Sequence, residues 1–315
     1  MAIQKQVDLN QPLDADKQTN LSKSALKPEL TEAAITLHGD HYKQSQAKLN
    51  KYILTHPFSI FILTLTLPIA LGYTLWDYFL ISDNLVEFWS IINRNRNDFI
   101  YHLLATIPII GGVLSIFGGF TYLVGEEMGI ITNKFIGQKY CDYIFGFDIR
   151  AFAKGDKESN ENSEIIVYRD SPIAIGTIVI DESQSTVENF IVKITGIHVR
   201  KVFQKAEFDQ LLIDWAVLRS RKLYQEYLKK NKSKIKEGSI VLTIDGYSFD
   251  PHFENILISK GFKKLSSSFE LNPFNPGLTW YREILHKFFN ISRDTFGLIL
   301  ITSNEDYELI KNINN

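Results

Sequence analysis

Two long segments without a charged side chain constrain this sequence more than any other feature. The first, residues 52–76, has 25 residues, and the second, residues 99–125, has 27. As helices they would measure about 37 to 40 Å, whereas the hydrocarbon core of a bilayer is about 30 Å thick. Soluble core helices seldom run so far without a charge on one face, so both segments are predicted to be transmembrane helices. A pair of buried core helices is the alternative.

The composition limits what else the chain can be. It has 315 residues, of which 45% are apolar and 22% charged, with a net charge of −2 and a mean hydropathy of −0.07. This hydropathy is too low for a transporter with many spans, and the balanced charge gives no bulk attraction to nucleic acid. The single cysteine, Cys141, excludes an internal disulfide and a multi-cysteine metal cluster. The sequence also has no His-Glu-x-x-His motif and no paired-cysteine spacing, so we expect no metal site.

The two predicted spans divide the chain into three parts. Residues 1–51 form a polar tail, residues 52–125 a membrane hairpin whose loop is 77–98, and residues 126–315 a separate domain. Lysines are concentrated on the outer flanks of the hairpin rather than in its loop, so the positive-inside rule predicts that both termini are cytosolic. The flanking lysines are Lys43, Lys48, Lys51, Lys134 and Lys139.

Small residues lie along the second span. Gly111, Gly112, Gly118 and Gly119 would let another helix backbone approach closely. Two interpretations stay open. The two spans pack on each other, or the glycines hold a helix of another membrane protein.

The pattern of residues 126–315 predicts a cytosolic α/β domain with a mixed sheet. Short apolar runs between turn residues indicate strands, and apolar residues at helical spacing indicate helices. Polar residues 155–163 indicate a turn or loop, and a short amphipathic helix is predicted before the spans, from Leu26 to Gly39, where the glycine would end it. The predicted strands are Glu164–Tyr168, Ile173–Ile180, Asn189–Val199, Ser239–Ile244 and Phe296–Thr302, and the helices are Ala206–Leu228, Pro251–Lys260, Thr279–Phe289 and Glu305–Lys311.

The order of these elements resembles the Gcn5-related acetyltransferase fold. In Val192–Val217 a strand leads through a loop into a long helix, and Gln204 falls on the Arg/Gln position of that family's coenzyme A loop. Downstream, Asn255–Phe262 is similar to the helix of that fold that ends in Gly-Phe. The resemblance implies a loop whose backbone N–H groups hold the coenzyme A pyrophosphate at a helix N-terminus.

Two departures from the family pattern argue against catalysis. The glycine positions of the pyrophosphate loop are Glu207 and Asp209, and a carboxylate about 4 Å from a phosphate repels it by roughly 4 kcal/mol at an effective dielectric of 20. The tyrosine that often acts as general acid is replaced by Leu257 or Ile258. We therefore interpret the domain as a pseudo-acetyltransferase with no cofactor. A membrane-anchored, acetyl-CoA-dependent N-acetyltransferase remains the alternative.

A basic segment follows in the long predicted helix. The simplest interpretation is a solvated helix end. The alternative is a contact with anionic lipid head groups or with an acidic partner protein. The candidate contact residues are Arg219, Arg221, Lys222, Lys229 and Lys230.

Three motifs before and within the first span resemble a second family. They are Lys27-Pro28-Glu29-Leu30, Leu37-His38-Gly39-Asp40 and Tyr52-Ile53-Leu54-Thr55-His56-Pro57. With two spans and a cytosolic domain behind them, they resemble the fungal endoplasmic-reticulum proteins of the PHO pathway that are labelled inorganic phosphate transporters.

That second resemblance implies a client-specific chaperone. Its expected partners are a plasma-membrane phosphate transporter as client, vesicle coat components and the lipid bilayer, with no nucleic acid. It also implies residence in the endoplasmic-reticulum membrane and a role in folding and vesicle packaging. The residues independently argue against a phosphate pore, because the centres of both spans lack the cationic groups that a phosphate path needs.

Overall fold

The computed structural model describes residues 20–136, 140–155, 159–231, 238–274, 277 and 279–302. Its contacts divide the chain into two compact units. The helical unit is Ala47–Glu126, and the sheet unit combines Met1–Gln46 with Glu127–Asn315. Residues 20–46 of the predicted tail therefore share a compact unit with the described residues from Glu127 onwards.

The described residues of the sheet unit form seven strands. Their order across the sheet is β1-β2-β3-β4-β5-β7-β6, and every neighbouring pair is antiparallel except β4 and β5, which are parallel. A parallel pair needs a crossover, and a long helix, α8, makes it. The strands are β1 (Leu21–Leu26), β2 (Asn160–Tyr168), β3 (Ser171–Ile180), β4 (Asn189–Val199), β5 (Gly238–Tyr247), β6 (Lys263–Ser268) and β7 (Arg293–Thr302).

Ten α-helices accompany the strands within the described residues. They are α1 (Thr31–Thr55), α2 (Pro57–Thr74), α3 (Trp76–Ile81), α4 (Leu85–Arg94), α5 (Arg96–Ile136), α6 (Cys141–Phe145), α7 (Ile149–Ala153), α8 (Phe208–Lys230), α9 (Pro251–Ser259) and α10 (Trp280–Phe289). Two 3-10 helices, Pro28–Leu30 and Lys201–Ala206, precede α1 and α8.

Helices cover both faces of the sheet. On one face α8 packs so closely that a Cβ on Gly176 of β3 would lie 3.3 Å from Leu212 and from Trp215. On the other face the Thr195 hydroxyl of β4 donates to the Ile144 carbonyl of α6 at 2.6 Å. The main apolar core lies between the sheet, α8 and α9, and its buried residues include Val192, Leu212, Leu242 and Leu257.

The first half of α1 also packs on the sheet. His38 is 1% exposed, and its Nε2 lies 3.0 Å from the Thr177 hydroxyl of β3. The ring occupies the space that a side chain on Gly196 of β4 would need, since a Cβ there would lie 2.5 Å from the His38 ring. Burial, with His41 nearby, lowers the pKa of His38 from 6.5 to about 3. The imidazole is therefore neutral in the folded chain at physiological pH.

Within the helical unit, α1 and α2 meet at a helix break. Pro57 occupies the first turn of α2, and the His56 side chain accepts a hydrogen bond from the Phe58 backbone N–H at 3.3 Å. Pro68 lies inside α2 and Pro108 inside α5. Two helices are long and apolar enough to cross a bilayer, Pro57–Thr74 and Arg96–Phe135, with only 12% and 6% of their most apolar windows buried.

Several sequence-based predictions of elements are confirmed. β4 has the predicted bounds, α9 and α10 differ from theirs by one residue at one end, and the strands predicted near 164, 173, 239 and 296 are present. The mixed α/β character of the domain is confirmed by the sheet. The predicted helix Glu305–Lys311 lies outside the described residues.

Other predictions were wrong. The helix predicted to end at Gly39 continues to Thr55, because this part of α1 is held by packing on the sheet and one interior glycine disfavours a helix by only about 1 kcal/mol. The predicted loop 77–98 contains α3 and α4. Residues 160–163 of the predicted loop 155–163 are the start of β2, where Asn160 pairs with Leu26 of β1.

Removing the N-terminal segment should destabilise the sheet unit. Residues 127–315 alone would lose β1 and the buried Leu26 and Leu37, exposing the edge of β2. We expect residues 20–46, joined to 127–315 by a short Gly/Ser linker, to unfold cooperatively and remain monomeric. We expect 127–315 alone to aggregate or melt at a lower temperature.

Circular dichroism and size-exclusion chromatography measure both properties. A short linker suffices because Gln46 contacts Gly129, where a Cβ would lie 3.3 Å from the Gln46 amide nitrogen. The matched control is the linked chain with Leu37→Asp, which keeps β1 but disrupts the packing of α1. Equal melting temperatures for 127–315 and the linked chain would contradict the expected role of the segment.

Candidate functional site

The two parallel strands form a fork in the middle of the sheet. Their pairing runs from Asn189 and Ser239 to Ile194 and Ile244. Beyond that point β4 continues along β3 and β5 continues along β7. At such a fork the facing backbone groups of the two strands no longer pair with each other, so the fork is a candidate ligand site.

Helix α1 lies across this fork. His41 and Tyr42 line a cavity of about 50 Å³ between the strands. Since a water molecule takes up about 30 Å³ in the liquid, and ligand pockets measure about 300 to 1,000 Å³, the cavity has room for very little besides water. The other lining residues are Lys193, Ile194, Thr195, Gly196, Ile197, Ile244, Asp245, Tyr247, Phe253, Pro273 and Phe274.

A carboxylate in the wall of the fork is held by three donors. Asp245 accepts from the Lys193 ammonium at 2.9 Å, the Arg293 guanidinium at 3.1 Å and the Thr295 hydroxyl at 2.9 Å. Burial alone would raise the pKa of Asp245, but these partners together lower it below its ordinary value. The group is therefore a paired anion that ties β4, β5 and β7 together.

The tyrosines beside this carboxylate are poor acids. Burial raises the pKa of Tyr42 well above its ordinary value, and Tyr247 and Asp245 raise it further. Burial also raises the pKa of Tyr247, again with a contribution from Asp245. Both hydroxyls are neutral across the physiological range, so neither supplies a base to the cavity.

The predicted coenzyme A loop consists of a 3-10 helix that leads directly into the N-terminus of α8. Gln204 lies in the 3-10 helix before α8 and donates through its amide to the Gln44 side chain of α1 at 3.2 Å. Glu207 is exposed and has a φ of +56°, a conformation that favours glycine. Asp209 lies in the first turn of α8, where its carboxylate accepts from the Gln210 backbone N–H at 3.0 Å.

The residues predicted as a lipid or partner contact are not all available for one. Arg219 is only 11% exposed and pairs with Glu161 at 2.8 Å and Glu226 at 3.1 Å, so it stabilises the packing of α8 on β2. Lys229 and Lys230 are exposed at the end of α8, and Arg221 and Lys222 are half-buried.

The glycines of the second predicted span lie on an open helix surface. A Cβ placed on Gly111, Gly112, Gly118 or Gly119 would meet nothing within 4 Å. By contrast, a Cβ on Gly125 would lie 3.1 Å from the Asn50 side chain of α1. Within the described helical unit, the four predicted contact glycines are therefore not used for packing.

Sequence reasoning missed the fork and its α1 side chains. His41 and Tyr42 come about 150 residues before the strands that they contact, and no local spacing connects them. Asp245 directly follows the predicted strand Ser239–Ile244, but its three partners come from β4 and β7, which the sequence does not connect with it. Among the described residues, no cluster of three His, Cys, Asp or Glu side chains could hold a metal ion.

A family comparison identifies what kind of protein has this architecture. The family described as "Inorganic phosphate transporter chaperone Pho86" matches residues 3–300, which include both units. The chain belongs to the Pho86 family. The family predicted from the motifs around the first span is thereby confirmed. No curated protein sequence matches the chain.

Solved structures similar to this Pho86-family chain are acetyltransferases. Naa50 of Arabidopsis thaliana has a TM-score of 0.30 and 7% identity, over 44% of this chain and 72% of that one. A GNAT-family acetyltransferase of Streptococcus pneumoniae has a TM-score of 0.29 and 13% identity, over 56% and 77%. The ribosomal-protein-S18-alanine N-acetyltransferase of Escherichia coli has a TM-score of 0.29 and 11% identity, over 53% of this chain and 90% of that one. Likeness at this level assigns no chemistry to the Pho86-family chain.

Substituting the fork carboxylate should produce a pH-dependent loss of stability. Asp245→Asn should lower the free energy of unfolding by about 2 to 4 kcal/mol near pH 7, because it leaves Lys193 and Arg293 without their anion. The folded-state pKa of Asp245 is depressed, so its stabilisation is complete above the unfolded pKa of about 4 and is lost as pH falls through the lower folded value. The difference between wild type and variant should therefore shrink below about pH 4.

Chemical unfolding of the full chain in detergent at several pH values measures this difference. The matched control is Asp214→Asn, which removes a more exposed ion pair with Lys260 and should change stability by at most about 1 kcal/mol. A loss that stayed constant down to about pH 3 would contradict the assigned role of the carboxylate.

Proposed function

We propose that the chain is an endoplasmic-reticulum membrane chaperone that binds a high-affinity phosphate transporter while it folds and is packaged for export. The family description supports a phosphate transporter chaperone, and the match includes almost the whole chain. The residence and the export step rest on the resemblance of the N-terminal motifs. The proposal commits the chain to contact with a client and not to catalysis.

The observation that carries the proposal is the exposed apolar surface of α2 and α5. Their most apolar windows are 12% and 6% buried, whereas the core helix of a soluble protein is mostly covered. Large side chains such as Ile69, Ile107 and Ile116 are 60% to 73% exposed. Surface of this kind needs lipid or another apolar partner, and a helix can satisfy its own backbone groups in a bilayer.

The sheet unit supports a topology with both flanks of the hairpin on one side. β1 precedes the first predicted span and pairs with β2, which follows the second. A sheet cannot be hydrogen-bonded across a bilayer, so two spans between paired strands return the chain to the side on which it began. Together with the lysines on the flanks, this favours cytosolic termini. A cytosolic sheet unit would then be the surface open to vesicle coat components.

Small residues of α5 are the candidate client contact. Gly111, Ser115 and Gly119 recur every four residues and are exposed in the helical unit. Small residues at this spacing let two helix backbones approach closely and are a common dimer motif in membranes. Since the described part of the helical unit leaves this face uncovered, we favour a client helix over packing between the two spans.

Contact without catalysis is supported by the fork and by the loop before α8. The cavity at the fork is about 50 Å³ and is lined from one side by α1. Glu207 and Asp209 place carboxylates where a bound pyrophosphate would need neutral or positive groups. The resemblance to acetyltransferases then concerns the arrangement of strands and helices, and not a retained reaction.

When the chain is absent, or when its small-residue face is blocked, the phosphate transporter should remain inside the cell. In a fungal strain that lacks the gene, a fluorescent phosphate transporter should accumulate in the endoplasmic reticulum. Gly111→Leu with Gly119→Leu should fail to restore most of its delivery, because the added side chains separate the helices. Ile116→Leu, on the same helix, is the matched control and should restore delivery.

Surface fluorescence and phosphate uptake measure the outcome, with equal chaperone levels verified by immunoblot. Normal delivery in the strain lacking the gene would refute the chaperone role. Normal delivery with the double leucine variant would refute only the assignment of the contact face.

Coenzyme A should not bind the chain. Titration calorimetry of the full chain in detergent should give no binding heat up to about millimolar coenzyme A, which corresponds to less than about 4 kcal/mol of binding free energy. A positive control is an active acetyltransferase in the same detergent. Micromolar binding, or turnover of acetyl-CoA by the purified chain, would restore the N-acetyltransferase alternative.

A further inference from the structure

Helix α10 presents an apolar stripe that the sheet unit does not cover. Trp280, Ile284 and Phe288 are 75%, 57% and 52% exposed. They follow one another at intervals of four residues, so they lie within an arc of about 80° on one side of the helix. Three large apolar side chains on one exposed side of a ten-residue helix form a continuous surface rather than scattered exposure.

The opposite side of α10 is firmly held. His286 and Phe289 are completely buried. The His286 ring donates through Nδ1 to the Phe269 carbonyl at 2.8 Å, since a carbonyl oxygen can only accept. The helix then ends at Asn290, which has a φ of +53°. Because this side is packed and hydrogen-bonded, the stripe is a fixed feature of the folded sheet unit.

The buried side of α10 contacts the chain where α5 leaves its charge-free segment. His286 Nδ1 lies 3.9 Å from Glu127 Oε2, and the other carboxylate oxygen of Glu127 accepts from the Asn272 backbone N–H at 2.8 Å. Glu127 is the second residue after the segment 99–125, so along the helix it is only about 3 Å beyond its end. The contact therefore holds α10 against a residue that follows the charge-free segment almost directly in the chain.

We propose that α10 is an interfacial helix that lies on the bilayer surface and inserts Trp280, Ile284 and Phe288 at the boundary between head groups and acyl chains. Such helices bury their apolar side by about 5 to 10 Å. Tryptophan is enriched at this depth because its ring is apolar and its N–H is polar. The inference rests on the membrane insertion of α5 in the proposed function.

The charges of α10 fit a lipid surface, because cations outnumber anions beside the apolar stripe. Arg282 and Lys287 outnumber Glu283, and Lys287 is exposed beside the stripe while pairing with Glu283 at 2.6 Å. Cations next to an apolar stripe complement lipid phosphates, and their long stems can extend toward the head groups. This surface differs from the basic segment of α8, in which Arg219 is already paired within the fold.

Depth-dependent fluorescence quenching in nanodiscs tests the proposal. A single cysteine is introduced as Ile284→Cys in the full chain, labelled with an environment-sensitive dye and exposed to lipids that carry a nitroxide near the head group or near the acyl-chain end. The native Cys141 is completely buried, and burial raises the pKa of its thiol to about 11, so it reacts little. Ile116→Cys on α5 and Ile258→Cys on α9 are matched controls, being 73% and 54% exposed.

We expect the dye at position 284 to be quenched more by the shallow nitroxide than by the deep one. Position 116 should show the reverse order, and position 258 should be quenched by neither. Adding Phe288→Glu should abolish the quenching at position 284 while leaving that at position 116 unchanged. The purified nanodiscs contain no client, so quenching reports lipid and not a partner protein.

The controls distinguish failure of this inference from failure of the proposed function. Quenching at position 116 without quenching at 284 would overturn the interfacial helix and leave membrane insertion intact. Absence of quenching at position 116 would overturn both. Equal quenching at positions 284 and 258 would also overturn the inference, because it would indicate nonspecific contact of the whole sheet unit with lipid.

Discussion

The packing of α1 on the middle of the sheet is the contact on which the rest of the sheet unit depends. His38 takes the place of a side chain on Gly196 and reaches the Thr177 hydroxyl, so one helix holds two neighbouring strands. The imidazole must be neutral there, because its pKa in the folded chain is only about 3. Below about pH 6.5 the unfolded chain therefore binds a proton at His38 that the folded chain does not bind. The contact therefore becomes less stabilising as the pH falls below about 6.5.

The same helix explains why the fork between β4 and β5 is nearly filled. His41 and Tyr42 continue along α1 from His38 and line the small cavity that remains. Asp245 of β5 then joins β4 and β7 through its ion pairs with Lys193 and Arg293. The fork between the two parallel strands is therefore a packed junction with a cavity of only about 50 Å³.

Much of the sheet unit was predictable because its elements are local. The alternating residues of β4 and the helical spacing in α8, α9 and α10 identify those elements without tertiary information. β1 and β6 are edge strands that the sequence pattern does not reveal, because half of Leu21–Leu26 is polar and Lys263–Ser268 is polar except for Leu265. Among the site residues, Glu207 was placed at a glycine-like position, and its φ of +56° is consistent with that.

The helical unit lies in the chain between β1 and the other six strands, and this order affects when the sheet can form during synthesis. His38 and its partner Thr177 are 139 residues apart, and a ribosome that adds about 5 to 20 residues per second needs about 7 to 28 s to make that distance. For most of this interval β1 has no neighbour, because its partner β2 begins only at Asn160 and the 80 residues of Ala47–Glu126 are made first. Completion of the sheet is thus a late event in biogenesis, because six of its seven described strands are made after the helical unit.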